Sequence, residues 1–123
     1  MKVKYFTPQE ANRRLPYVRG IVQDLLQMGR NLQALNLLPH QIPEIREQQA
    51  ILQKQVETLM AEMQELGCYY KDWNFEIGLV DFPALIDGRQ VLLCWRSDEP
   101  EVTWCHGYED GYAGRQPIPE ELL

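Results

Sequence analysis

Apolar residues recur at three- and four-residue steps through the first half of the chain and at alternate positions through part of the second. The pattern therefore divides the sequence into a helical half and a β half. Leu15, Val18, Val22, Leu25, Leu32 and Leu35 form one stripe, and Gly29 fills its single gap, where the spacing predicts close approach by a neighbouring helix. FTPQEA predicts the helix start. Thr7 is the cap, Pro8 suits the first helical position, and Glu10 completes a capping box. Pro16 removes a backbone donor and disfavours helix at Leu15, which predicts a short opening turn and then a kink or restart. Asn36 to Pro43, NLLPHQIP, has two prolines and no periodicity and reads as a connection. A second helix is expected from about Glu44 to Leu66, on a stripe of Ile45, Leu52, Val56, Leu59, Met63 and Leu66 that is close to a heptad seam, with Gly67 at its C-terminal stop. Together they predict an antiparallel hairpin over about residues 8–66, each arm about 30 Å long.

After Gly67 the period becomes two. CYYK suggests a short edge strand, and IGLVDFPALI and RQVLLCWR flank Asp87-Gly88, a strong two-residue hairpin signal. That turn sets Val80 opposite Trp95, Asp81 opposite Cys94 and Phe82 opposite Leu93. One face is then wholly apolar, with Val80, Phe82, Ala84, Val91, Leu93 and Trp95, and should take the helices. The other is mixed, with Leu79, Asp81, Pro83, Leu92, Cys94 and Arg96. If the four residues Ser97–Pro100 make the next turn, Glu101 faces Arg96, Val102 faces Trp95 and Thr103 faces Cys94. Trp104 and His106 then join the apolar face, Cys105 joins the mixed one, and Asp81, Arg96 and Glu101 form one charged cluster, an arginine between two carboxylates. The expected fold is a single α+β domain over 1–123: a long helical hairpin on a three- to four-stranded antiparallel meander over about 68–106, followed by a C-terminal loop, 107–123.

Length and charge narrow the function. One domain with its own core fits 123 residues. The net charge is −6, the pI is about 4.9, and the longest basic feature is Arg13-Arg14, so direct binding to nucleic acid or an anionic membrane is not expected. The N-terminus shows no apolar export region and no run approaches a membrane span, which leads to an expectation of a cytoplasmic protein with three free thiols, Cys68, Cys94 and Cys105.

The run from Val91 to Arg115 concentrates the candidate chemistry. Cys94, Cys105 and His106 have metal-ligand types, but regular alternation sends His106 away from both cysteines unless a β-bulge intervenes, and no metal or cofactor is expected. Cys94 lies opposite Asp81, which opposes ionisation, so a small buried thiol is expected rather than a nucleophile. GYEDGYAGR lacks a phosphate-loop spacing and carries two acids, and reads as a loop held on the sheet by Tyr108 and Tyr112, with Arg115 reaching a carboxylate.

Three stretches carry a family resemblance: FTxxEANxxLP at Phe6–Pro16, GLVDFPAxxDGRxVxLCWRxxEPE at Gly78–Glu101, and a closing pattern at Cys105–Arg115. The chain resembles a family of small prokaryotic proteins known as a domain of unknown function, number 2203. The resemblance implies that Asp81, Cys94, Trp95, Arg96, Glu101, His106, Gly111, Gly114 and Arg115 belong to a shared pattern, and it implies no activity. One departure is Cys105, where the family pattern has tryptophan. The expectation is a non-catalytic binding or protein-interaction module, a homodimer through the helices or the mixed sheet face, with a candidate ligand or interface site at Asp81, Cys94, Arg96, Glu101, His106 and Arg115. The alternative is a small hydrolase or transferase in which Asp81 or Glu101 is the base and Arg96 and Arg115 hold an anionic group of a small-molecule substrate.

Overall fold

In the computed structural model, which describes residues 3–123, two helices precede an antiparallel sheet. Met1 and Lys2, which the sequence reading counts in the single domain, lie outside the described residues. Helix α1 spans Pro8–Asn36 and α2 spans Pro43–Glu65. Strands β1 (Tyr69–Tyr70), β2 (Leu79–Ile86), β3 (Arg89–Arg96), β4 (Trp104–His106) and β5 (Gln116–Pro117) pair in chain order. The sheet thus has five strands rather than the three or four expected. The extra strand is Gln116–Pro117, in the segment expected to be loop, where a two-residue strand containing proline gives no periodic signal.

The capping box forms as expected, with Thr7 and Glu10 each bonding the other's backbone N–H. Helix α1 runs unbroken through Pro16, contrary to the expected restart. Buried Ala11 and Leu15 before the proline, and Val18, Ile21 and Val22 after it, pack on one sheet face, and this burial outweighs one missing hydrogen bond. Helix α2 ends in a Schellman motif, with the Gly67 N–H donating to the Gln64 carbonyl and the Cys68 N–H to that of Met63.

The close approach at Gly29 comes from a loop aromatic, not from a helix. A Cβ built there would lie 2.2 Å from the Phe75 ring. The outer arms extend past the sheet. Beyond Gly29 in α1 and before Val56 in α2 no residue is fully buried, and Leu32, Leu35, Ile45 and Leu52 are only half-buried there.

The β2–β3 hairpin has the predicted register, from Ile86 opposite Arg89 to Leu79 opposite Arg96, and Asp87 and Gly88 both take positive φ in its turn. Val80, Phe82, Ala84, Leu93 and Trp95 are buried against the helices. The next register differs from expectation. Cys94 pairs with Trp104, Leu93 with Cys105 and Leu92 with His106, so Ser97–Thr103, seven residues, separate the strands. Asn12 of α1 causes the detour: its side-chain oxygen accepts the Val102 N–H at 2.7 Å and its amide donates to the Val102 carbonyl at 3.2 Å. Val102 is buried where this clamp holds it. An odd number of residues inverts the parity of β4. Trp104 and His106 move to the mixed face, and Cys105 moves to the core side.

Candidate functional site

The inverted register brings Asp81 of β2, Cys94 of β3 and His106 of β4 onto neighbouring positions of the mixed face. One oxygen or nitrogen or the sulfur from each lies within 4.8 Å of the others. His106 Nε2 is 3.1 Å from Asp81 Oδ1, and the side chains are only 4% and 5% exposed. Among the described residues, these two are the buried members of the polar and charged class, which sets them apart from an ordinary surface pair. The other ring nitrogen, Nδ1, lies 2.8 Å from the Gly107 carbonyl. That carbonyl can only accept, so Nδ1 bears the proton and Nε2 faces inward. Burial raises the Asp81 carboxyl above the ordinary carboxylate range, against the opposing pull of His106. Burial and then the Asp81 charge push the Cys94 thiol up to about 12.

A pocket of about 240 Å³ opens on this triad. Leu79 and Leu92 form its apolar wall, Lys71 stands at one side, and Tyr108, Gly111 and Tyr112 roof it. A larger groove of about 490 Å³ lies at the hairpin end, lined by Ile86, Arg89, Cys105 and Gln116 among others, but no buried polar cluster converges there.

The roof is tied down from the sheet. Arg96 donates to both Asp98 oxygens and, at 2.6 Å, to the Tyr112 hydroxyl. Arg115 donates to the Cys94 carbonyl at 3.1 Å and to Glu99 Oε1 at 2.7 Å, and its guanidinium lies 4.9 Å from the Trp104 ring and 5.0 Å from that of Tyr112. Glu99 also accepts the Arg96 backbone N–H, while its own carbonyl accepts the Trp95 indole N–H. The loop reading of GYEDGYAGR, with Arg115 reaching a carboxylate, matches these contacts.

The expected charged cluster does not form. Arg96 pairs with Asp98, two residues along its own turn, rather than bridging Asp81 and Glu101. Glu101 lies exposed on the other side of the sheet, near Asn12, Pro16 and Arg19 of α1. The cause is again the seven-residue loop, which carries Glu101 to the helix side. Of the six candidate residues, Asp81, Cys94 and His106 meet, Arg96 and Arg115 brace the roof, and Glu101 stands apart. Lys71, Leu79 and Leu92 line the pocket without having been singled out as site residues, and Glu99 is the brace hidden in a stretch that reads only as a turn.

A family model described as an uncharacterized conserved protein, DUF2203, matches residues 4–118. No curated protein and no solved structure matches the chain.

Proposed function

This chain belongs to the DUF2203 family of uncharacterized conserved proteins, and we propose that it is a cytoplasmic binding module for a small molecule, held over the Asp81–Cys94–His106 triad. The observation that carries this reading is the pocket itself: about 240 Å³, roughly the space of eight waters, with apolar walls and a buried polar floor. Lys71 at its side favours a ligand with an acidic group. The three free thiols fit a reducing compartment. The enzymatic alternative loses its support because Arg96 and Arg115 are both committed to carboxylates of the Ser97–Thr103 loop and neither is among the residues lining the pocket.

The test is a titration of isotope-labelled full-length protein with small carboxylates, from formate to benzoate, followed by amide chemical shifts. Saturable shifts confined to Lys71, Leu79, Leu92, His106, Gly111 and Tyr112, and weakened by Lys71→Ala, are the expected result. Shifts scattered over the surface, or none, would sink the reading.

The homodimer belongs to the same proposal. Leu37, Leu38, Ile42 and Ile51 are exposed on the outer hairpin, where a second copy would cover them. Sedimentation of the full chain should give a dimer that Ile51→Glu weakens, and a monomer at all concentrations would remove it.

A further inference from the structure

Asp81, Cys94 and His106 offer an oxygen, a sulfur and a nitrogen from three adjacent hydrogen-bonded strands. We propose that they bind one divalent transition-metal ion, zinc by the chemistry of the donors, with a fourth coordination position open to the pocket under Tyr108 and Tyr112. Regular strand alternation would send His106 away from Cys94, and the Asn12 clamp inverts that parity.

Geometry is the first support. Zinc takes ligands at roughly 2.0–2.3 Å in a tetrahedron, which puts donor atoms about 3.3–3.6 Å apart. The triad's atoms are already within 4.8 Å of one another, and the histidine–aspartate pair is at 3.1 Å. Closing onto an ion takes movement on the order of 1 Å.

The histidine supplies a second, independent support. Its Nδ1 proton is held by the Gly107 carbonyl at 2.8 Å, which fixes the ring and aims Nε2 at Cys94 and Asp81. Metal-bound histidines are oriented in this way by an outer partner. Charge also balances. A thiolate and a carboxylate together neutralise a dication, so the complete site buries no net charge. On binding, the ion replaces two protons, that of the Cys94 thiol and the one shared by Asp81 and His106, and both leave to solvent.

The donor set selects among metals. A thiolate and an imidazole disfavour magnesium and calcium, which take oxygen ligands, and three protein donors with one open position match the pattern of zinc sites that accept a further ligand. The open position depends on the pocket proposed above, where an acidic ligand group beside Lys71 would reach the ion.

The test uses untagged full-length protein, stripped with chelator and titrated with Co²⁺ as zinc's spectroscopic stand-in. We expect one equivalent to bind, with a thiolate-to-cobalt charge-transfer band and the strong visible bands of a four-coordinate ion, both bleached by one equivalent of Zn²⁺. Cys94→Ser should abolish the charge-transfer band, whereas Cys105→Ser, altered on the opposite face, should keep it. Should Cys94→Ser fail to fold, the His106 ring of the wild-type protein gives the same answer, because zinc must shift its Nε2 resonance and leave Nδ1 protonated. No stoichiometric uptake, a weak six-coordinate spectrum, a band retained in Cys94→Ser, or an unmoved Nε2 would each overturn the site. Carboxylate binding to the stripped protein is read separately. Pocket-confined shifts without cobalt uptake would leave the pocket and remove the metal, while a cobalt band without any carboxylate response would leave the metal and remove the ligand pocket.

Discussion

Asp81 Oδ1 and His106 Nε2 lie 3.1 Å apart, and the second nitrogen of the ring is spent on the Gly107 carbonyl. The contact between β2 and β4 therefore runs across Cys94 of β3 through a single shared proton. A buried bond of this kind is costly to leave half made.

That cost distinguishes two substitutions at Asp81. Asp81→Asn keeps the shape and presents an amide that donates to Nε2 of the neutral ring. Asp81→Ala leaves the buried Nε2 without a partner. In chelator-treated protein, urea unfolding should show a small loss for Asn and a loss of about 1–3 kcal/mol for Ala. Equal losses would mean that the amide does not take over the bond.

Gly29 and Phe75 give a second prediction. Phe75 holds positive φ with its ring over Gly29, against Tyr70 at 6.2 Å. Alanine at position 29 would gain about 1 kcal/mol of helix propensity, but its Cβ would fall 2.2 Å from a ring carbon, and overpacking of this sort costs about 1–3 kcal/mol. Gly29→Ala should therefore lower stability. Combined with Phe75→Ala it should cost less than the sum of the two single losses, because the clash disappears with the ring. Strict additivity in thermal unfolding would contradict the contact.

How much of this was legible depended on how far each feature reached along the chain. The Thr7–Glu10 capping box and the Asp87–Gly88 hairpin are local, and sequence spacing alone placed both. The register of β4 is not local, because Asn12, ninety positions before Val102, decides how many residues the Ser97–Thr103 loop holds. A four-residue turn at SDEP was sound chemistry for an isolated hairpin, but the tertiary clamp overrode it. This single slip explains the misplacement of Glu101, Trp104, Cys105 and His106. Pro16 failed as a breaker for a related reason: burial on both sides of it is a property of the sheet beneath, not of the helix sequence.

Arg115 should behave as a positioning residue for the roof. Its guanidinium lies beside Trp104 and Tyr112 and bonds Glu99 and the Cys94 carbonyl, a use that a planar fork serves and a compact ammonium does not. Arg115→Lys should lose about 2 kcal/mol, in the range for a hydrogen bond to a charged group. Limited chymotrypsin digestion should then cut sooner at Tyr108 or Tyr112 than elsewhere. Unchanged cleavage there would show that Arg96, through Tyr112, holds the roof alone.

The capping box gives the pH prediction. Glu10 accepts the Thr7 backbone N–H at 3.1 Å, and that bond, followed by the one to the Thr7 hydroxyl, holds its carboxyl below the usual 4.5. The unfolded chain therefore takes up the proton first as the pH falls, and the unfolded state binds more protons through the window below 4.5. The contribution of Glu10 is fully present above that value and is lost as the pH drops through the lowered folded value. Asp98, lowered by its bonds to Arg96, has the same sign, whereas Asp81, raised by burial, has the opposite one. Glu10→Gln keeps an acceptor for the Thr7 N–H but cannot ionise. Urea midpoints at low salt should fall less steeply for this variant than for wild type between about pH 5 and pH 3, while the two differ little in slope near neutrality. Parallel curves across the acid range would show that the Glu10 charge adds nothing to the cap.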